Sequence, residues 1–296
     1  MTRLLNANFA RLFKGKLFWI CAGAAVVLAL TETIVNANKI KMGDLTVHPE
    51  AALFKTSGLF LLVITAILAG IFVGAEHGGA LRNKIISGQK RVCVFLANAI
   101  TCSAAIAMIH FLFVATVLLS GLILGGKFSL SFGEIALCEI LQLASLFEMS
   151  VIFSAISLLR QQKFGGALVS FVTLLVLFAL NFLFSVNAIK YSQESLYDNI
   201  PMERVERQNL SAGEQARLTF FESIQDINPF GQQTQIKESF YNAYYEQFYS
   251  EHFAQYVNGC GFTKIPIPTE IAFYSLGTIA VTTAVGALAF RKIDIK

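Results

Sequence analysis

His110, Glu139, Gln142, Glu148 and Asn181 are polar side chains set within long apolar stretches. Such groups are costly in lipid, so each is a candidate for a substrate or proton path. Each also has a plainer reading: His110 as a helix-to-helix hydrogen bond, and either glutamate facing a polar cavity or bonding to a neighbouring helix. At about 100° per residue, Glu139 and Glu148 fall on opposite sides of one helix, which disfavours a metal or proton site built from both. No Ser-His-Asp arrangement, HExxH pair or GxxxxGK[ST] loop is present, so the chain reads as neither an enzyme nor an ATP-binding engine. Cys21, Cys93, Cys102 and Cys138 lie in or at the ends of apolar runs, and Cys260 stands apart. Nothing resembles a CxxC or Cys/His metal spacing. No metal or cofactor is expected in this chain, and nothing points to nucleic acid.

The elements that position these residues follow from composition. Of 296 residues, 55% are hydrophobic and 14% charged, with mean hydropathy +0.61. Soluble domains carry about a quarter charged residues, so the class is an integral membrane protein. Six runs are long enough to cross a hydrocarbon core: Leu17 to Val35, Ser57 to Ala75, Val92 to Leu124, Phe132 to Leu159, Phe164 to Val186 and Ile271 to Phe290. Helices are expected throughout, because backbone groups must satisfy one another in lipid and no barrel-like alternation appears. The third and fourth runs exceed one crossing, which predicts tilt, a kink or extension beyond the lipid. The fold class is therefore all-α, with six transmembrane helices.

Residues 1–16 are basic, yet the apolar run that follows is full length and no cleavage site closes it, so the segment reads as retained. Leu5, Phe9, Leu12 and Phe13 share one helical face, with Arg3, Asn6, Arg11 and Lys14 elsewhere. This pattern predicts a helix lying in the membrane interface against lipid; a merely basic tail is the alternative. Placing the N-terminus inside puts thirteen Lys and Arg on the cytoplasmic face, against Lys39, Lys41, Lys55 and Lys127 in the short outer connections. Both termini are then cytoplasmic, and all five prolines fall outside. The chain divides into an interfacial helix (1–16), helices one to five (17–186) with an inner loop (76–91), a helical extracellular insertion (187–268), and helix six with its tail (269–296).

The insertion has net charge −4 and reads as polar and folded. Ser211-Ala-Gly-Glu214 is a capping box that predicts a helix from Ala212 toward Gln225, stopped by Asn228-Pro-Phe-Gly231. Residues 239–256 then form an aromatic amphipathic pattern. Phe240, Tyr244 and Phe248 recur every four residues, beside Tyr241, Tyr245 and Tyr249. This is either a core or interfacial helix, or a surface for an amphipathic substrate or partner subunit.

Between the second and third runs lies GAEHGGALRNKIISGQKR, residues 74–91. Gly78 and Gly79 allow a sharp change of direction. Residues 80–87 then suit a short helix with Leu81, Ile85 and Ile86 on one side and Arg82, Asn83 and Lys84 on another, ended by Gly88. The order Glu76, Gly79, Leu81, Arg82, Asn83, Lys84, Gly88, Arg91 resembles E-x-x-x-G-x-L/I-R-N-K-x-x-x-G-x-x-R, the inner-loop pattern of ABC transporter permeases of the type-2 exporter class (ABC-2). Gly79 stands one position before the commonest placing. The plan of interfacial helix, six spans and outer insertion is similar too, and NPFGQ at 228–232 looks like a segment of some members' insertions.

The resemblance implies a bacterial permease subunit in the cytoplasmic membrane. It would pair with a second or paralogous permease copy and two cytoplasmic ABC ATPase subunits, which hold the ATP and Mg. The inner loop would be the coupling helix, meeting the ATPase through Glu76 and residues 80–88, including Ile85, with Arg82 and Lys84 as charged contacts. Relatives with this pattern export antimicrobial peptides, lipids, polysaccharides, drugs or ions; the aromatic segment leans toward an amphipathic peptide or lipid. Two other classes compete: a proton- or ion-coupled secondary transporter using His110, Glu139 and Glu148, and a receptor whose outer domain binds ligand. No internal repeat favours the first, and the second leaves the loop pattern unexplained.

Overall fold

The computed structural model describes residues 1–42, 48–54, 57–124, 126–160, 165–193, 211–237 and 268–292. Nearly all of them are helical, with no strand among them: α1 (Thr2–Lys14), α2 (Lys16–Lys41), α3 (Ala51–Phe54), α4 (Ser57–Gly74), a 3-10 turn (Ala75–Gly78), α5 (Ala80–Ile86), α6 (Arg91–Leu124), α7 (Phe132–Arg160), α8 (Gly165–Gln193), α9 (Ala212–Ile227), α10 (229–237) and α11 (Pro268–Lys292). Among the described residues, six helices are long and apolar enough to cross a membrane: Lys16–Lys41, Gly58–His77, Arg91–Leu124, Phe132–Arg160, Gly165–Phe184 and Thr269–Lys292. Each contains one of the six apolar runs or most of it. The chain is a multi-pass all-α membrane protein.

The long third run is one helix without a break. Its 34 residues rise about 1.5 Å each, roughly 50 Å in all, against about 30 Å of hydrocarbon. That excess length is what predicts tilt, a kink or extension beyond the lipid.

The helices divide into two compact units. One comprises Met1–Ser129, Leu143–Leu175 and Ser275–Lys296. Within it α2 lies along α6, and α2 carries a stripe of small buried residues, Ala22, Ala25, Ala29 and Thr33, spaced about one per turn. Small side chains let helix backbones approach closely where lipid supplies no hydrophobic contrast between helix and surroundings. The Ser120 hydroxyl of α6 donates across this seam to Thr33 Oγ1 at 3.1 Å. A Cβ added at Gly70 of α4 would stand 2.8 Å from the Ala167 backbone of α8, and one at Gly286 of α11 would stand 2.7 Å from the buried Phe95 ring of α6. Both glycines mark contacts with no room for a methyl group.

The other unit comprises Leu130–Gln142 and Val176–Tyr274. Two capping boxes begin its helices. Ser211 and Glu214 reciprocate at the start of α9, as the pattern predicts. Ser131 and Glu134 form a second box before α7, with the Ser131 amide donating to Glu134 Oε2 at 2.9 Å. The NPFG segment ends α9 as expected, and it also starts a further helix. α9 runs on to Ile227, and helix resumes at Pro229, so the segment is a joint between two helices. Proline suits the first turn of a helix, where its missing N–H leaves no bond unmade. Asn228 caps the new helix by accepting from the Phe230 amide at 3.1 Å, and its Nδ2 donates to the Leu177 carbonyl of α8 at 2.9 Å. Phe230 is buried edge-on against Phe178, and Gln232 donates to the Asp226 carbonyl. Gly231 is required, because a Cβ there would lie 2.1 Å from the Gln225 carbonyl oxygen. The aromatic segment 239–256 lies outside the described residues.

Candidate functional site

At the end of the second span, α4 tightens into the 3-10 turn that carries Glu76. This side chain is fully buried, a position an acidic group tolerates only when its charge and lone pairs are met. Lys84 of α5 and Arg11 of α1 both engage Oε1, the arginine at 2.9 Å. Asn98 of α6 donates to Oε2 at 2.8 Å. The Lys84 ammonium also donates to Asn8 Oδ1 at 2.8 Å, and Asn8 Nδ2 donates to Asn98 Oδ1 at 2.8 Å. The bonds close a ring, Glu76–Lys84–Asn8–Asn98, drawn from four elements and reaching across ninety residues of chain. Arg11 braces it from outside the ring. Its guanidinium lies 4.1 Å from the Phe72 ring centre and donates to the Phe72 carbonyl at 3.3 Å, combining a cation–π contact with a hydrogen bond.

Backbone geometry turns the short helix back onto this carboxylate. Gly79 has φ 112°, in the left-handed region where a Cβ is unfavourable, and no heavy atom lies within 4 Å of where that Cβ would be. The glycine is needed for its conformation rather than for space. Gly88 ends the segment at φ 83°, as a glycine after a helix commonly does. Leu81 fills the space under α5, at 1% exposure.

Two cations share one carboxylate, so the cluster carries an excess positive charge. Burial pulls the Lys84 ammonium below its ordinary value of 10.5. The Glu76 carboxylate pulls it back up, and Arg11 adds a smaller repulsion. Attraction to Glu76 thus offsets part of the desolvation cost of lysine.

The structure gathers some of the sequence-selected residues here and leaves others elsewhere. Glu76, Gly79, Leu81, Lys84 and Gly88 all serve the turn or its buried core. Arg82 and Asn83 are exposed, and Ile85 is half-buried. Two expectations are corrected. Lys84 does not share a free face with Arg82 and Asn83 but turns inward, because a helix of seven residues gives its last turn room to reach Glu76. Ile86 does not pack beside Leu81 and is 71% exposed. Arg91 donates to the Arg291 carbonyl at 3.2 Å.

On α1 the buried stripe is Leu4, Asn8 and Leu12. It includes Leu12 of the expected Leu5–Phe9–Leu12–Phe13 face, while Phe13 is exposed, and Asn8 and Arg11 have partners inside the protein. Asn8 and Asn98 are the functional candidates that sequence reading missed; an asparagine in the first turns of each helix carries no local signal. His110, Gln142, Glu139 and Glu148 are buried in α6 and α7, and Asn181 is half-buried in α8. None belongs to the ring. Glu139 lies in one compact unit and Glu148 in the other.

Beside His77, whose Nε2 lies 3.0 Å from the Ser157 carbonyl, Ser157 meets Ser170 through their hydroxyls at 3.3 Å. The turn therefore touches α7 as well as α1 and α6. In the second unit, a cavity of about 480 Å³ opens between α9 and the start of α11, with Glu222, Asp226, Glu270, Phe273 and Tyr274 in its wall. No protein-family model matches the chain, and no characterised protein matches it in sequence.

Proposed function

We propose that this chain is the permease subunit of an ATP-driven exporter of the ABC-2 class, forming the translocation path while a separate cytoplasmic ATPase binds and hydrolyses ATP with Mg. The observation that carries the reading is the division of labour within residues 76–91. Glu76, Gly79, Leu81, Lys84 and Gly88 each have a structural reason to be what they are. Arg82, Asn83 and Ile86 are exposed on the same short helix. A helix held rigidly from behind, with a charged and apolar outer face, suits contact with a moving partner.

In this reading the termini and residues 76–91 face the cytoplasm of a bacterial cell, α1 rests at the inner membrane surface, and residues 187–268 lie outside. Two permease copies, identical or paralogous, flank the path. Nucleotide-driven closure of the ATPase pair shifts α5, and the two permease copies move against each other. The exported substrate is an amphipathic peptide or lipid. The acidic and aromatic wall of the cavity between α9 and α11 favours a cationic peptide of these two.

The test is purification of the tagged full chain with its partner from mild detergent. Arg82→Glu combined with Ile86→Ser should abolish ATPase association while leaving the chain folded. Association unchanged in that variant would refute the proposed contact, and ATP-independent, gradient-driven transport would replace the reading with a secondary transporter.

A further inference from the structure

We infer that the Glu76–Lys84–Asn8–Asn98 ring is a positioning device whose hydrogen-bond polarity locks α1, α5 and the start of α6 into one moving body, with Asn8 and Asn98 as positioning residues. The lock stands on its own; its use in coupling rests on the exporter reading. The polarity follows from donor and acceptor inventory. An ammonium only donates, and a carboxylate only accepts. Lys84 donates to both of its ring neighbours, and Glu76 accepts from both. Asn8 must accept from Lys84, which leaves its amide NH₂ to donate to Asn98. Asn98 must accept from Asn8, which leaves its NH₂ to donate to Glu76. Both amide contacts have this sense, so no orientation is arbitrary.

The ring also explains the placement of polar groups where apolar ones would be expected. Asn8 and Asn98 are 1% and 0% exposed. A buried amide with an unmet group is costly, whereas a fully satisfied network rigidifies what it joins. Displacement of α5 cannot be taken up by slippage against α1 or α6 without breaking a buried bond. Motion entering at Arg82 and Ile86 therefore passes through Asn98 into α6, a single 34-residue helix, and carries α1 with it.

The polarity argument yields a test that a merely packed contact does not. Glu76→Gln introduces an amide NH₂ facing the Asn98 NH₂. If Asn98 and then Asn8 flip to accommodate it, the Asn8 NH₂ meets the Lys84 ammonium. Asn8→Asp removes the donor that Asn98 needs, and a flipped Asn98 then sets its oxygen against the Glu76 carboxylate. Each single substitution frustrates the ring. Together they complete it in reverse. Lys84 then donates to the new carboxylate at position 8 and to the new amide carbonyl at position 76. Asn98 donates to that carboxylate, and the amide NH₂ at position 76 donates to Asn98. One negative charge remains, moved from position 76 to position 8.

Spin labels at Lys14→Cys and Ile86→Cys in the full chain, with Cys93 and Cys260 replaced by serine, read the α1–α5 distance in lipid vesicles. A narrow distribution is expected for the parent, a broad one for N8D and for E76Q, and a narrow one again for N8D/E76Q. In the complex, ATPase stimulation should fall about tenfold in each single variant, the equivalent of one unmet buried hydrogen bond, and return in the double. Single variants that fail to fold while the double folds support the same conclusion. A double variant as broad as the singles, one that fails to fold, or a single variant as narrow as the parent overturns it. If no ATPase accompanies the parent chain, the exporter reading fails while the distance measurement still decides the ring.

Discussion

Replacing Glu76 by leucine removes the one anion that faces two cations. Lys84 is 16% exposed at its side chain and Arg11 32%, so the lysine stays largely dry while the arginine is partly hydrated. Removing one partner of a buried ion pair typically costs about 3–5 kcal/mol. Arg11 is a third exposed and recovers some hydration, which places the ionic part near 3 kcal/mol. The Asn98 amide, fully buried, loses its acceptor as well, for a further ~1 kcal/mol or more. The total is about 4 kcal/mol, on the order of 10 °C in midpoint for a chain of this size.

Lys84→Met should cost much less, about 1–2 kcal/mol, because Glu76 keeps Arg11 and Asn98 while the cost of burying an ammonium disappears. The decisive quantity is the pair. Once Glu76 is leucine, removing the stranded lysine should restore stability, making the double variant less destabilised than Glu76→Leu alone by about 1–2 kcal/mol. Cys21, Cys102 and Cys138 are buried, so a thiol-reactive fluorophore reports unfolding on heating in detergent. Strict additivity of the two substitutions would refute the charge-pairing argument.

Gly79→Ala should destabilise by about 1–2 kcal/mol through backbone strain alone, with no steric contribution; thermal midpoints that separate it from a harmless Gly213→Ala would check this. Gly70→Ala forces the Ala167 backbone away and should cost about 1–3 kcal/mol, read by the same fluorophore. The Glu214 carboxyl is held below its ordinary value of 4.5 by hydrogen bonds from Ser211. The unfolded segment therefore binds the proton first, and the cap's contribution, complete above that value, is lost as pH falls through the depressed one. Amide exchange in α9 should accelerate in that acid window, and Ser211→Ala should remove the pH dependence.

What the sequence conveyed tracks how local each signal is. The six spans follow from uninterrupted hydropathy, and the box at Ser211 from two residues three apart. The turn at Gly79 and the end at Gly88 were legible because glycine is the usual answer to a positive φ. The ring was not legible, because Asn8 and Asn98 are ninety residues apart and each looks like any polar residue near a helix start. Lys84 was misplaced for a related reason. Helical periodicity assigns it the direction of its neighbours, but a buried carboxylate eight residues earlier outweighs that preference. NPFG reads as a stop because proline and glycine interrupt helices, yet Asn228 caps a new helix within one residue. Nothing in the local pattern distinguishes ending from restarting.

The central claim, that this chain works through a partner ATPase, is tested most directly by ATP hydrolysis in the purified assembly. Tagged full-length chain, gently solubilised and affinity-purified, should elute with a subunit carrying a GxxxxGK[ST] loop and show vanadate-sensitive hydrolysis that the Arg82→Glu, Ile86→Ser variant loses. An eluate free of any such subunit, from membranes in which the chain is demonstrably folded, would contradict it.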